Sequence, residues 1–241
     1  MAQVINTNVS SLFAGAALNK SANGLLTAQQ RLSSGLRINS AKDDVTGMVA
    51  AAGFDKQVRG ANQAIRNLND AMSTAQINDG YHQQLYENLQ RMREIAVQDG
   101  GTATGGKEIT ALVAENTRIL NLITDQTTVV ANSNGGTVTA TGTKATVSAT
   151  ATDTVANIDT AIGNVTTARA TYGADMVTFQ SAINVLQNQS VNASAAFSRI
   201  MDTDYAAETT SMTRNQILQQ AGIAALAQAN QNPSMVLSLL R

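Results

Sequence analysis

The glycine-rich segment that ends in Lys107 is the first candidate for a site of chemistry. Gly101, Gly106 and Lys107 have the spacing of a phosphate-binding loop, in which backbone N–H groups and a lysine hold a phosphate chain. Glu108, however, stands where such a loop needs Ser or Thr, and no apolar strand precedes the glycines. Glycine also ends helices, because it readily adopts a left-handed backbone conformation. The segment is therefore predicted to be a reversal between two helices.

Histidine, cysteine and acidic residues offer no second candidate. The chain has one histidine, His82, and no cysteine, which excludes disulfides, thiolate metal sites and sites built on two imidazoles. Asp43 and Asp44 are adjacent acids, but Ser40 and Asp43 have the spacing of a capping box that opens a helix. His82 is predicted to be structural or exposed. The sequence thus predicts no catalytic residue, no metal, no cofactor and no enzyme activity.

The composition favours long helices with many small side chains. Of the 241 residues, 43% are hydrophobic but only 3% are aromatic, and the single proline is Pro233. Proline is the residue that most reliably breaks a helix, so very long helices can precede it. The net charge is −1, and no apolar run approaches the length that spans a bilayer. We expect no nucleic-acid partner, no membrane insertion and no cleaved leader in MAQVINTNVS.

Two long stretches carry the apolar spacing of coiled-coil helices. Between Val155 and Ile200 apolar residues recur at alternating steps of three and four, a seam interrupted by Arg169 and Ser190. Its members are Val155, Ile158, Ile162, Val165, Tyr172, Met176, Phe179, Ile183, Leu186, Ala193, Phe197 and Ile200. A matching stripe, broken by the polar Asp79 and His82, comprises Ala61, Ile65, Leu68, Met72, Ala75, Leu85, Leu89, Met92 and Ala96. These two helices are predicted to lie side by side.

A shorter helix and a small insert separate the two long stretches. Apolar residues from Ile109 to Ile123 predict a third amphipathic helix, and the alternation in TVTATGTKATVSATAT predicts a hairpin or loop. Both chain ends are amphipathic but too weakly apolar to be stable as isolated helices. The predicted fold is mainly α: a long antiparallel coiled-coil-like helical rod with terminal helical arms and a small β-hairpin or variable insert.

The predicted organisation has five segments. Residues 1–42 form the N-terminal arm, and residues 43–128 form the N-terminal part of the rod, a long helix plus a shorter one. Residues 129–154 form the short variable insert. Residues 155–202 form the C-terminal rod helix, and residues 203–241 form the C-terminal arm. In this arrangement the two ends of the chain return to the same place.

Several long segments at both ends resemble the terminal regions of bacterial flagellin. They are MAQVINTNVSSL, QQRLSSGLRINSAKDDVTGM, NLQRMREIAVQ, FSRIMDTDYAAETTSMTRNQILQQAG and LAQANQNPSMVLSLLR. The resemblance implies a secreted structural subunit that polymerises into the extracellular bacterial flagellar filament for swimming motility. It also implies that residues 1–42 and 203–241 pair as the inner wall of a hollow filament. The side chains expected to carry polymerisation are Ile5, Val9, Leu12, Leu25, Leu32, Ile217, Leu218, Leu226, Val236, Leu237, Leu239 and Leu240.

The resemblance also implies partners. The chain would bind copies of itself, pass unfolded through the flagellar type III export apparatus with an export chaperone, and meet hook-associated and cap proteins. A patch for the vertebrate flagellin-sensing Toll-like receptor maps onto Gln90, Arg91 and Ile95, with Glu115 as the acidic partner further on. Ile95 stands where the family usually has Leu, and Met92 where a smaller aliphatic is common. Both are similar in volume to the usual residues, so recognition is expected to be kept but weaker.

Three alternatives stay open at the level of sequence. A hook–filament junction protein has terminal helices of this type, although it usually matches these motifs loosely. A membrane-active helical protein belongs to a different class, and the sparse basic residues and absent Trp argue against it. Some flagellins carry a protease in the central region, but this chain has no HExxH motif and a short insert. The filament subunit is the preferred interpretation.

Overall fold

The computed structural model of the chain describes residues 7–102, 106–125, 128–130, 136–148 and 150–239. The elements are α1 (Val9–Ser34), α2 (Val45–Gln98), α3 (Lys107–Leu122), β1 (Thr128–Val130), β2 (Thr137–Thr139), α4 (Val155–Met201) and α5 (Tyr205–Leu239). The strands β1 and β2 pair antiparallel, with Val129 opposite Val138. The predicted class is confirmed: the chain is mainly helical, with helices at both ends and a small hairpin insert.

The chain divides into two compact units. Unit 1 comprises Met1–Phe54 and Ala195–Arg241, and unit 2 comprises Asp55–Ser194. These limits fall inside α2 and α4, whereas the boundaries predicted after residues 42 and 202 fall in the breaks between helices. The five-segment organisation therefore stays a prediction. No helix in the described ranges is long and apolar enough to cross a bilayer.

The core of unit 2 lies along one seam of α4. Its buried residues follow steps of three and four up to Leu186 and end at Ala193: Ile158, Ala161, Val165, Ala168, Tyr172, Asp175, Phe179, Ile183, Leu186 and Ala193. The predicted seam contained Ile162 and Met176, but both side chains are only half-buried. It missed Ala161, Ala168 and Asp175, because small and charged side chains give no strong apolar signal. The helix was predicted correctly, but the face that it buries differs from the predicted seam at these positions.

The facing seam of α2 is continuous, with Ala61, Ala64, Leu68, Ala71, Ala75, Asn78, His82, Leu85, Leu89, Met92 and Ala96 all buried. His82 was predicted to be structural or exposed, and it is structural: its ring is buried and continues the stripe. Arg93 Nε lies 2.6 Å from Asp159, and Arg169 Nε lies 2.9 Å from Asp79. These pairs show that α2 and α4 run antiparallel. Partly exposed ion pairs contribute little stability, so the buried seam holds the helices together.

The ends of α2 are fixed by acidic caps and glycines. Asp43 Oδ2 accepts from the N–H and O–H of Ser40, both at 3.0 Å, in a turn that precedes the helix. The hydroxyl of Ser40 is the largest cause of a lowered Asp43 pKa. The residue that caps α2 is Asp44, whose Oδ1 accepts from the N–H of Gly47 at 2.9 Å. The predicted capping box was therefore misplaced by one turn. At the other end the φ of Gly101 is 102°, as the predicted reversal requires.

The residues after β2 form an extended segment that packs into unit 2. We call residues 140–148 the strap. Ala140 and Ala145 are buried, and Asn164 Nδ2 in α4 donates to the carbonyl of Thr146 at 2.9 Å. Although the sequence alternates like a strand as far as Thr152, β2 ends at Thr139. The strap is not a strand because its N–H groups bond to side chains of α2 and α4, as described below.

Candidate assembly surface and receptor patch

The two terminal helices pair with each other in unit 1. Asn8 Nδ2, just before α1, donates to the carbonyl of Ala229 in α5 at 2.8 Å. Toward the other end of the pair, Arg31 and Glu208 form an ion pair at 3.6 Å. Since the start of α1 meets the later part of α5, the helices run antiparallel. Where the helices connect to α2 and α4, Thr203 N–H donates to the Gly35 carbonyl at 2.9 Å.

The face that each terminal helix buries consists mainly of small and polar residues. The buried or half-buried residues at steps of three and four are Ser11, Ala14, Leu18, Ser21, Leu25, Ala28 and Leu32 in α1, and Glu208, Ser211, Asn215, Gln219, Gly222, Leu226 and Ala229 in α5. A Cβ on Gly24 would lie 2.8 Å from Asn215 Nδ2, and one on Gly222 would lie 3.3 Å from Leu18 Cδ1. The backbones approach closely because these residues are small.

Most of the large apolar side chains that the structure describes in the pair point to solvent. The exposed set is Val9, Leu12, Phe13 and Leu26 in α1, and Ile217, Leu218 and Ile223 in α5, with exposed fractions from 52% to 78%. Soluble helices normally bury their apolar stripe and expose their polar face. In α5 the arrangement is reversed: Asn215 and Gln219 lie in the pair, whereas Ile217 and Leu218 lie outside it. The pair therefore leaves an exposed apolar surface, a feature that is typical of interaction sites.

The predicted polymerisation residues fall into four groups. Val9, Leu12, Ile217 and Leu218 are exposed, and Leu25, Leu32 and Leu226 are half-buried within the pair. Val236, Leu237 and Leu239 lie in α5, and Ile5 and Leu240 lie outside the described residues. The prediction missed the exposed Phe13, Leu26 and Ile223. Apolar residues that do not fit the seam were the signal that could have identified them.

The predicted receptor patch lies on α2 and α3. Arg91 is exposed, and its guanidinium bonds Glu108 at 2.7 Å and Glu94 at 3.1 Å. The bond to Glu108 is the largest cause of a raised Arg91 pKa. Glu115 pairs with Arg118 at 2.6 Å, which lowers the Glu115 pKa. Arg91 and Glu115 thus have separate ionic partners, and both keep exposed surface.

The other patch residues are more enclosed. Gln90 is half-buried, and Ile95 is half-buried against the core of unit 2. Met92 is fully buried in that core, so its side chain adds nothing to the exposed surface of the predicted patch. Within the described ranges no three His, Asp or Glu side chains come close enough to hold a metal ion.

Paired terminal helices that leave their large apolar side chains uncovered define a helical assembly subunit. The sequence similarity of the chain to known proteins agrees with that class. Residues 5–135 match the family model of the bacterial flagellin N-terminal helical region, and residues 155–240 match that of the C-terminal helical region. The chain therefore belongs to the bacterial flagellin family.

Individual relatives cover the whole chain. The flagellins of Xenorhabdus nematophila and Serratia marcescens are 36% and 33% identical, over 100% of both chains in each pair. A flagellin of Salmonella typhimurium is 44% identical over 64% of this chain and 31% of its own length. The chain is a structural subunit of the extracellular flagellar filament. The junction-protein and membrane-active alternatives are not favoured.

Proposed function

We propose that this chain polymerises through the outward apolar faces of α1 and α5, within the arms formed by residues 1–42 and 203–241. The observation that carries the proposal is the reversed burial of α5, in which Ile217 and Leu218 are more than half exposed. Covering a large aliphatic side chain contributes about 1.5–3 kcal/mol. Several such side chains per subunit, each contacting a neighbouring copy, would hold a filament together. Repeated contacts that do not close on themselves generate a helical polymer.

Replacing Ile217 and Leu218 together by Ser tests the proposal. Because both side chains are exposed in the single chain, we expect a change in unfolding free energy within about 0.5 kcal/mol per site. The critical concentration for elongation should rise at least tenfold, since about 1.4 kcal/mol of lost contact energy corresponds to that factor. Elongation from filament seeds, followed by light scattering, measures this concentration.

Gln220→Ser is the matched control, because Gln220 is exposed on the same helix and offers no large apolar surface. It should elongate like the unchanged chain. If the double variant also elongates normally, the polymer contacts must lie elsewhere, and the proposed surface is wrong.

Membership of the flagellin family also bears on how the chain is exported and which proteins it contacts. We propose that the chain crosses the flagellar type III export apparatus unfolded, in the company of an export chaperone. It would then be placed in the filament between hook-associated proteins and a cap protein. The exposed apolar set of α1 and α5 supports a need for a chaperone, because such surfaces promote premature association. We also propose that the chain has no enzyme activity of its own.

We propose that Gln90, Arg91, Ile95 and Glu115 form the surface that the vertebrate flagellin-sensing Toll-like receptor recognises. Arg91→Ala is expected to weaken receptor activation by monomers at least tenfold, because an arginine at a protein interface often contributes about 2 kcal/mol or more. Arg93→Ala is the control: it removes the same charge and also an ion pair, with Asp159, from a different side of α2. Dose–response curves in receptor-expressing reporter cells compare the two variants. Equal losses would contradict the proposed patch.

A further inference from the structure

His82 connects the strap to α2 inside unit 2. It is the single histidine of the chain, and its side chain is fully buried. Its Nδ1 lies 2.7 Å from the carbonyl oxygen of Asn78, one turn earlier in α2. Its Nε2 accepts a hydrogen bond from the N–H of Ala145 in the strap at 3.2 Å. The imidazole is therefore one of the groups that hold the strap in place.

The two partners of His82 fix the protonation state of the ring. A carbonyl oxygen only accepts hydrogen bonds, so Nδ1 must carry the proton. A backbone N–H only donates, so Nε2 must carry a lone pair. The ring that holds the strap is consequently neutral. A proton added to Nε2 would oppose the N–H of Ala145 and bury a charge that has no acceptor there.

Charged groups around the ring do not remove this conflict. Burial is the largest influence and lowers the pKa of His82 below its usual 6.5. The Asn78 carbonyl and the carboxylates of Asp79 and Asp125 oppose this effect, whereas Arg169 adds to it. Asp79 is already paired with Arg169 at 2.9 Å. The hydrogen bonds of the ring go to Asn78 and Ala145, and neither carboxylate holds Nε2 in the docked arrangement.

The remaining neighbours on α4 and the strap hold the segment in other ways. The Tyr172 ring packs on the imidazole with centroids 5.3 Å apart, and burial raises its pKa to about 12, so it is neutral. The buried Asp175 carboxylate accepts from the N–H of Thr141 at 2.8 Å and of Gly142 at 2.6 Å. Lys144 joins the strap to Asp125 through its N–H at 2.6 Å. Asp175 is thus a second, independent tether.

We propose that protonation of His82 releases the strap, so that residues 140–148 form an acid-sensitive latch on the α2–α4 pair. With the strap docked the ring binds its proton less readily than with the strap free. The docked state is therefore fully favoured above pH 6.5, the ordinary histidine pKa. It loses stability as the pH falls from that value toward the lower pKa of the docked ring.

Two measurements on the full chain test the latch. The only imidazole gives a single histidine signal by nuclear magnetic resonance, whose titration yields the docked pKa and whose ¹⁵N shifts report the tautomer. Hydrogen exchange of the strap amides, corrected for the intrinsic rate, reports docking. Amide protection should begin to fall near pH 6.5 and decrease about tenfold for each pH unit between 6.5 and the measured docked pKa. Below that pKa it should level off. Constant protection from pH 7.5 to 5, or a ring protonated at Nε2 when docked, would overturn the proposal.

Two variants separate His82 from the acids. His82→Gln keeps an acceptor for Ala145 but does not titrate, so strap protection should become independent of pH in this range. Asp175→Asn weakens the second tether and should lower protection at every pH while keeping the pH dependence. If His82→Gln keeps the wild-type pH dependence, carboxylates control the strap and the proposal is wrong. The wild-type agreement between the docked pKa and the exchange profile tests the latch even if a variant does not fold.

Discussion

A chain that lacks residues 203–241 is expected to add no length to filament seeds. This truncation removes α5 and with it the exposed Ile217, Leu218 and Ile223. It also leaves α1 without the partner that bonds Asn8 and Arg31. An amphipathic helix without its partner is marginal in water, so the whole assembly surface should be lost. Negative-stain electron microscopy of seeded samples measures the length gained by full and truncated chains.

The truncation has two informative controls. Circular dichroism should show that the truncated chain keeps the helices of unit 2, because its core contacts lie within Asp55–Ser194. Deleting residues 1–42 should abolish elongation equally, because it removes the other helix of the pair. Elongation by either truncated chain would contradict the proposed role of the arms. If the full chain also fails to elongate, vesicle binding and binding to hook proteins become the next measurements.

Phe179→Ala is expected to cause the largest loss of stability of any single substitution considered. The Phe179 side chain is fully buried in the cluster with Leu68, Ile183 and Leu186. Replacing a buried phenylalanine by alanine removes apolar burial and leaves a cavity, which costs about 3–5 kcal/mol. Urea unfolding followed by circular dichroism gives the change in unfolding free energy.

Val177→Ala is the matched control for that substitution. Val177 lies two residues earlier in α4 and is 70% exposed, so its truncation should change the unfolding free energy by at most about 0.5 kcal/mol. Similar midpoints for both variants would mean that the α2–α4 seam is not the stabilising core. An altered urea dependence in either variant would indicate a change in the unfolded state instead.

Much of the fold could be predicted because it depends on periodicity. Leu68 and Phe179 recur at helical spacing within long stretches that contain no proline, and large apolar side chains at that spacing are buried. The glycines after α2 marked the reversal equally well. These features depend on residues that are close together in the sequence, so they can be recognised without knowing the fold.

The missed features depend on contacts between distant residues. Asp175 and His82 are polar residues within apolar seams, and both are buried where the strap supplies N–H donors to them. The strap alternates like a strand in sequence, but its hydrogen-bond partners are side chains that lie 18 or more residues away. Alternation of residues does not reveal such partners.

The candidate surface was only partly predictable. The resemblance placed it on the terminal helices, but the prediction grouped Val9 and Leu25 in one polymerisation set without separating the faces of the helix. In α1 these two residues lie on different faces, because Val9 is exposed and Leu25 is half-buried. The division follows from the small and polar residues of α5 that fill the pair, such as Gly222 and Asn215. Without the partner helix, the sequence of α1 does not show which face is covered.

The pairing of the two chain ends has a consequence for the order of folding. The bond from Asn8 to Ala229 joins residues 221 positions apart, whereas the bond from Arg91 to Glu108 spans only 17. Closing a longer loop costs more conformational entropy, and distant contacts slow folding. The turn between α2 and α3 can therefore close as soon as α3 is available. The terminal helices can pair only when nearly the entire chain is present, so we expect their pairing to be the last folding step.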